Sequence, residues 1–245
     1  MFLLARCRSG EVPRRMSARA GPGRARSTAD PHRVCRARPS AAPRVDGDGL
    51  SQGAGLPADA MSGEPIWVLD ACVLYPTVLR EILIGCAGQG LYEPAWSPRI
   101  AEEWVRTAER QGGPGDAALA RGETARLAAR FALTRTEHAH GDEAALWLPD
   151  AADIHVLATA RVVGARGIVT MNLRDFPRRE LSPLGLVAVH PDPFLLEFLA
   201  EAPETVEGVV RGVHAEAERL SGAALPLRDL LKRARLPRLG RALSR

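Results

Sequence analysis

Asp70 closes the apolar run "IWVL", Glu102 and Glu103 lie in a helical segment after a second run, Asp150 and Asp153 open a long apolar helix, and Asn172 and Asp175 follow "GIVT". An apolar strand rarely needs to end on an acid. Carboxylates gathered at one place repel unless a cation neutralises them, and hard oxygen donors select Mg²⁺ or Mn²⁺ over zinc. Such a set suits phosphodiester hydrolysis, in which the metal polarises the phosphate and activates a water, so that no protein nucleophile is required. The chain has no G-x-S-x-G elbow, Walker loop or dinucleotide fingerprint to suggest otherwise.

Each acid also has a plainer reading. Asp70 can cap the helix that follows it, and Asp150 reads first as a cap, with a metal role second. Glu102 and Glu103 flank the apolar face of Ile100, Ala101, Trp104, Val105 and Ala108 about equally, so periodicity does not choose between them. Asp175 can serve the turn in "LRDFP". His138 and His140, two apart in a polar loop, read as solvated, and His155 reads as a surface residue or a neighbour of the ligands. Trp67, Trp96, Trp104 and Trp147 all stand in apolar contexts and read as core, with base stacking the minority alternative. Cys86 reads as a core thiol.

The elements that must position these residues alternate. Short apolar strands are expected at 66–69, around "LYEPAWS", at 167–170 and at 185–190. Helices lie between them, with Ser97-Pro98 as a helix opening and Gly112-Gly113 as its stop. "DIHVLATARVVGA" carries Val156, Leu157, Ala160 and Val163 on one face. Such alternation implies an α/β fold with a mostly parallel sheet covered on both faces. In sheets of that kind ligands gather beyond the carboxyl ends of the strands, where these acids stand.

The chain has 245 residues and a formal charge of +4. Residues 1–60 carry eleven Arg against five acids, an excess of six, so residues 61–245 sum to about −2. The basic excess therefore sits in an Arg-, Pro- and Gly-rich leader expected to be disordered, and it is not a binding patch. Met61, opening "MSGEPIWVLD", is the expected start, with 61–200 as the main domain and 201–245 as a helical extension. No segment approaches the ~20 apolar residues of a membrane span. Cys7, Cys35, Cys72 and Cys86 form no C-x-x-C pair, so zinc-finger and thioredoxin readings have no support and a reducing cytoplasm fits best.

The runs "VLDACVLYPTVLREILI", "WSPRIAEEW", "LPDAADIHVLATARVVGARGIVTMNLRDFP" and "GLVAVHPDPFLLEFL", in that order over roughly residues 65–200, resemble the PIN-domain ribonucleases, which include the VapC-type toxins of toxin–antitoxin pairs. The resemblance implies a three-layer α/β/α sandwich and Mg²⁺- or Mn²⁺-dependent cleavage of RNA. It implies metal binding by Asp70, Glu103 and Asp153, with Asn172 and Asp175 completing the site; a supporting role for Asp150 rests on its place at the helix start alone. At the position of Cys72 the family usually has Asn or Ser, which implies a weakened or lost hydrogen-bonding partner for Asp70. A neutral Asn172 leaves Asp175 to supply charge.

Phosphate contacts are expected from Arg80, Arg99, Arg106, Arg174 and Arg178, with single-stranded or looped RNA as the substrate because its backbone can bend into a narrow crevice. The stripe of Val206, Val209, Val210 and Val213 either docks an antitoxin or packs on the parent domain, and a homodimer is compatible with the chain. Two rivals remain. One is an aspartyl-phosphate phosphatase, against which Cys72 argues because a second acid is needed there. The other is a PIN-like module that binds RNA or a partner without cutting.

Overall fold

The structure, a computed structural model, describes residues 63–137 and 140–244, with His140 and Gly141 described by their backbone alone. The expectations for the leader, for Met61, for Cys7 and Cys35 and for the His138/His140 pair lie outside the described residues. In chain order the elements are β1 (Ile66–Leu69), α1 (Ala71–Leu74), α2 (Thr77–Gly88), β2 (Glu93–Ala95), α3 (Pro98–Gly112), α4 (Pro114–Arg130), α5 (His140–Ala144), α6 (Ile154–Val162), β3 (Gly167–Val169), α7 (Arg178–Leu181), β4 (Val187–Val189), α8 (Pro191–Glu201), α9 (Pro203–Ser221), α10 (Leu227–Arg233) and α11 (Pro237–Ala242). The four expected strands are all present, β1 at its expected bounds and the other three shorter by a residue or more at their ends.

All strand pairs are parallel, in the order β2-β1-β3-β4. Val68 and Leu69 of β1 and Ile168 and Val169 of β3 are fully buried. Neighbouring strand residues point to opposite faces, so both faces of the sheet are covered by helices. This is the α/β/α sandwich expected from the alternation. Gly167 is required where β3 passes between its neighbours, because a Cβ there would run into the Val187 carbonyl and the Trp67 ring.

Local chemistry sets the breaks. Pro76 separates α1 from α2. Ser97 Oγ accepts from the Ile100 N–H at 3.3 Å with Pro98 at the first helical position, and Gly113 at φ 84° ends α3, as its sequence signals predict. The polar connector after residue 134 holds the short α5, which its composition does not announce.

The C-terminal segment is part of the packed structure. Trp67 meets Phe194 of α8 edge-on, with ring centroids 4.9 Å apart, and Tyr92 and Phe198 complete the aromatic cluster. Val206 and Val210 of α9 are buried, and the helix lies so close to α2 that a Cβ on Gly85 would sit 2.5 Å from Val209 Cγ1. The valine stripe is thus spent on the chain itself. Buried Asp192 of α8 accepts from the Arg238 and Leu239 N–H groups at 3.0 and 2.9 Å, tying down the start of α11.

Candidate active site at the carboxyl ends of the strands

The chain runs from β1 to β2 on one side and returns to β3 on the other, so the order reverses between β1 and β3. Crevices at such switch points are where open parallel sheets hold ligands. Asp70 follows β1 and Thr170 follows β3. Thr170 Oγ1 donates to Asp70 Oδ2 at 2.7 Å, and Cys72 Sγ donates to the same oxygen at 3.0 Å. Among the described residues no protein group donates to Oδ1. Asp70 does not use its side chain to cap α1; its backbone carbonyl accepts from Val73 and Leu74 instead. The capping reading of this acid is therefore set aside.

Cys72 corrects one expectation. Its thiol keeps a hydrogen bond to Asp70 and accepts another from the Met171 N–H at 3.2 Å. Burial, and then the neighbouring Asp70 charge, push its pKa well above the usual thiol range, so it is a neutral donor. The partner is thus present, and Thr170, which the sequence reading placed only as the last residue of a strand, adds a shorter bond. A hydroxyl immediately after an apolar strand, level with an acid after the adjacent strand, is the signal that was available.

Asp150, Asp153 and Asp175 each offer a carboxylate oxygen within 4.8 Å of the others, a spacing in which a divalent cation can be held. They arrive from two segments. Asp150 caps the 3₁₀ turn Ala151–Asp153, accepting from the Ala152 N–H at 2.9 Å, so its capping role and its place in the cluster coexist. Asp175 follows β3 in a turn closed by its N–H to the Asn172 carbonyl at 3.2 Å. Exposed Asn172 donates its side-chain amide to Asp175 Oδ2, and its N–H bonds Thr170 Oγ1 at 3.0 Å. Burial, then the charges of Asp70, Asp175 and Asp150, push the Asp153 carboxyl up to about 7. Asp70 therefore stands within electrostatic reach of the cluster. A half-buried group of carboxylates in which burial and mutual repulsion raise one member has the donor chemistry that a hard cation relieves.

The two glutamates of α3 diverge. Glu102 pairs with Arg106 at 3.5 Å on an exposed face, whereas Glu103 lies 3.4 Å from His155 Nε2. His155 is fully buried, which overturns its surface reading. Its Nδ1 bonds the Ala152 carbonyl at 2.7 Å, which fixes Nδ1 as the protonated nitrogen. Nε2 is buried without a hydrogen bond. Burial, and then Arg99, lower the imidazole pKa to about 4, so the ring is neutral near pH 7.

Of the arginines expected at the rim, Arg99, Arg106, Arg174 and Arg178 are exposed, Arg99 and Arg106 being ion-paired with Glu143 and Glu102. Arg80 is not at the rim. Its buried guanidinium donates to the Leu74 carbonyl at 2.9 Å and lies 4.8 Å from the Trp104 ring centre, so it locks the α1–α2 junction and cannot meet a phosphate. Trp67, Trp96 and Trp104 are core as expected; Trp147 is 56% exposed. Cys86 is fully buried, its thiol pushed up to about 12.

Comparison with known proteins agrees with this geometry. The PIN domain family model matches residues 67–174. A protein of Mycobacterium tuberculosis (strain ATCC 25618 / H37Rv) named "Putative ribonuclease VapC50" is 44% identical over 61 residues, which is 25% of this chain and 36% of that protein. The match thus spans about a third of the relative's length. No solved structure matches the chain. The matched span begins in β1 and ends just beyond β3, taking in Asp70, Thr170 and two of the three clustered aspartates. Residues 67–174 thus carry a PIN-domain fold, with similarity to VapC-type ribonucleases.

Proposed function

We propose that this protein is a divalent-metal-dependent endoribonuclease, the toxin of a toxin–antitoxin pair. The observation that carries the reading is the cluster of Asp150, Asp153 and Asp175 at the switch point, within electrostatic reach of Asp70. Asp153 with Asp150 and Asp175, joined by Asp70 and Glu103, are the residues that would hold Mg²⁺ or Mn²⁺. Bound there, the cation supplies Lewis acidity to a phosphoryl oxygen and lowers the pKa of a water.

The chain's own residues do the rest. Thr170 and Cys72 hold the Asp70 carboxylate through Oδ2, which leaves Oδ1 as the oxygen that would meet a cation. Asp153, its carboxyl raised to about 7 by burial and the neighbouring acids, would give up its proton as the cation binds. Asn172 holds Asp175 in place, and His155 stands behind Glu103. Exposed Arg99, Arg174 and Arg178 contact phosphates of a single-stranded or looped RNA. Residues 61–200 form the nuclease unit in this reading, and 201–245 form its packed helical cover.

RNA cleavage measured with Mn²⁺, with Mg²⁺ and with chelator, for the natural chain and for Asp70→Asn and Asp153→Asn, tests the proposal. Metal-dependent cleavage abolished by both substitutions is expected. Chelator-resistant cleavage, or full activity in either variant, overturns it. RNA binding without any cleavage would make the chain a silent binding module.

A further inference from the structure

Three of the four tryptophans are 6% exposed or less, but Trp147 is 56% exposed. Leaving most of a large indole in water forgoes burial that the other three obtain. Leu148 on one side is buried, and Leu146 on the other packs against the core. The flanking leucines anchor the segment and the indole between them is presented outward.

Its neighbours are those of a binding site. The Arg179 guanidinium lies 5.7 Å from the ring centre, within cation–π range, and is itself held by Glu180 at 2.8 Å. Trp147 precedes Asp150 by three residues, and Arg179 follows Asp175 by four. The two segments that bring the aspartates together therefore meet a second time at Trp147 and Arg179. Three extended residues reach about 10 Å, a distance that single-stranded RNA covers in a couple of nucleotides. Exposed aromatics beside a cation are the standard surface for unpaired bases, because every base offers a π-face.

We propose that Trp147, with Arg179 beside it, is a nucleobase platform that stacks an unpaired base flanking the scissile phosphate. It rests on the nuclease reading for its substrate, but its test does not require cleavage. Binding is measured in chelator by fluorescence anisotropy with a labelled single-stranded RNA of about 12 nucleotides and with an abasic strand of the same length. Trp147→Ala should weaken binding to the base-bearing strand about tenfold and leave the abasic strand unaffected; Trp147→Phe should restore most of the loss. Manganese affinity should be the same in all three proteins.

Equal affinity of wild type and Trp147→Ala for both strands overturns the platform while leaving metal-dependent cleavage standing. Base-dependent binding through Trp147 with no cleavage by the wild type preserves the platform and removes the nuclease. A Trp147→Ala protein that binds RNA normally but loses a wild-type dimer in sedimentation makes the indole a protein contact, and the proposal fails. No RNA binding by the wild type also ends it.

Discussion

The Thr170 hydroxyl and the Asp70 carboxylate, one hundred residues apart in the chain, meet at 2.7 Å across the gap between β3 and β1. This bond links the two strand ends at which the sheet order reverses, and it sets where the Asp70 carboxylate points. Thr170→Val keeps the shape and removes the donor. RNA cleavage should fall about 10- to 100-fold, with stability lower by about 1–2 kcal/mol. Thr170→Ser should restore cleavage. Cys72→Ala, which removes the longer bond from a weak thiol donor, should cost less than Thr170→Val in the same assay.

The Asp153 carboxyl, raised to about 7, must lose its proton before it can ligate a cation. The gain in melting temperature on adding Mn²⁺ should therefore be small at pH 5.5 and grow through pH 7 to a plateau near pH 8. Asp175→Asn removes one of the charges that raise it and should shift this rise to lower pH. A pH-independent gain would show that Asp153 is not a ligand.

His155 titrates with the opposite consequence for the fold. Its folded-state pKa of about 4 lies below the ordinary 6.5, so between these values the unfolded chain binds the extra proton. Stability from the neutral ring is complete above about pH 6.5 and is lost as pH falls towards 4, by an amount on the order of 3 kcal/mol. Denaturation curves of wild type and His155→Gln across this window should differ in slope, the variant being flatter.

Arg80 and Arg174 should separate structure from RNA contact. Arg80→Met leaves the Leu74 carbonyl without its donor and removes the cation from the Trp104 ring, and should destabilise the protein by about 2–3 kcal/mol without changing the salt dependence of RNA binding. Arg174→Ala, on the exposed turn, should do the reverse. It should leave thermal melting unchanged and lower the slope of log affinity against log salt by about one contact.

Asp192 holds two backbone N–H groups of α11 from inside the structure. Asp192→Ala should cost about 2 kcal/mol, and the amides of α10 and α11 should lose hydrogen-exchange protection first, ahead of those in the sheet.

Strand positions, the sandwich and the acids at strand ends were legible in the sequence because they follow from local period and from one rule about parallel sheets. What the sequence did not show was direction around an axis. Glu102 and Glu103 are neighbours on α3, and only the position of α6 turns Glu103 towards His155 and leaves Glu102 to Arg106. Arg80 and Trp147 exchanged their expected environments for the same reason. The arginine is drawn inward by the open carbonyl at the end of α1, and the tryptophan is turned outward by the leucines on either side of it. The Thr170 contact needs two strands distant in sequence to be adjacent and in register, which no window along the chain contains.

The contact between Gly85 and Val209 offers a practical handle. A single methyl placed at Gly85 acts as a wedge between α2 and the helix that covers it, and β-branched Val209 has little rotamer freedom with which to yield. The site chemistry is untouched, because neither residue touches it. Gly85→Ala is thus a natural starting point for a heat-sensitive allele, in which warmth loosens the C-terminal cover and cooling lets it seat again.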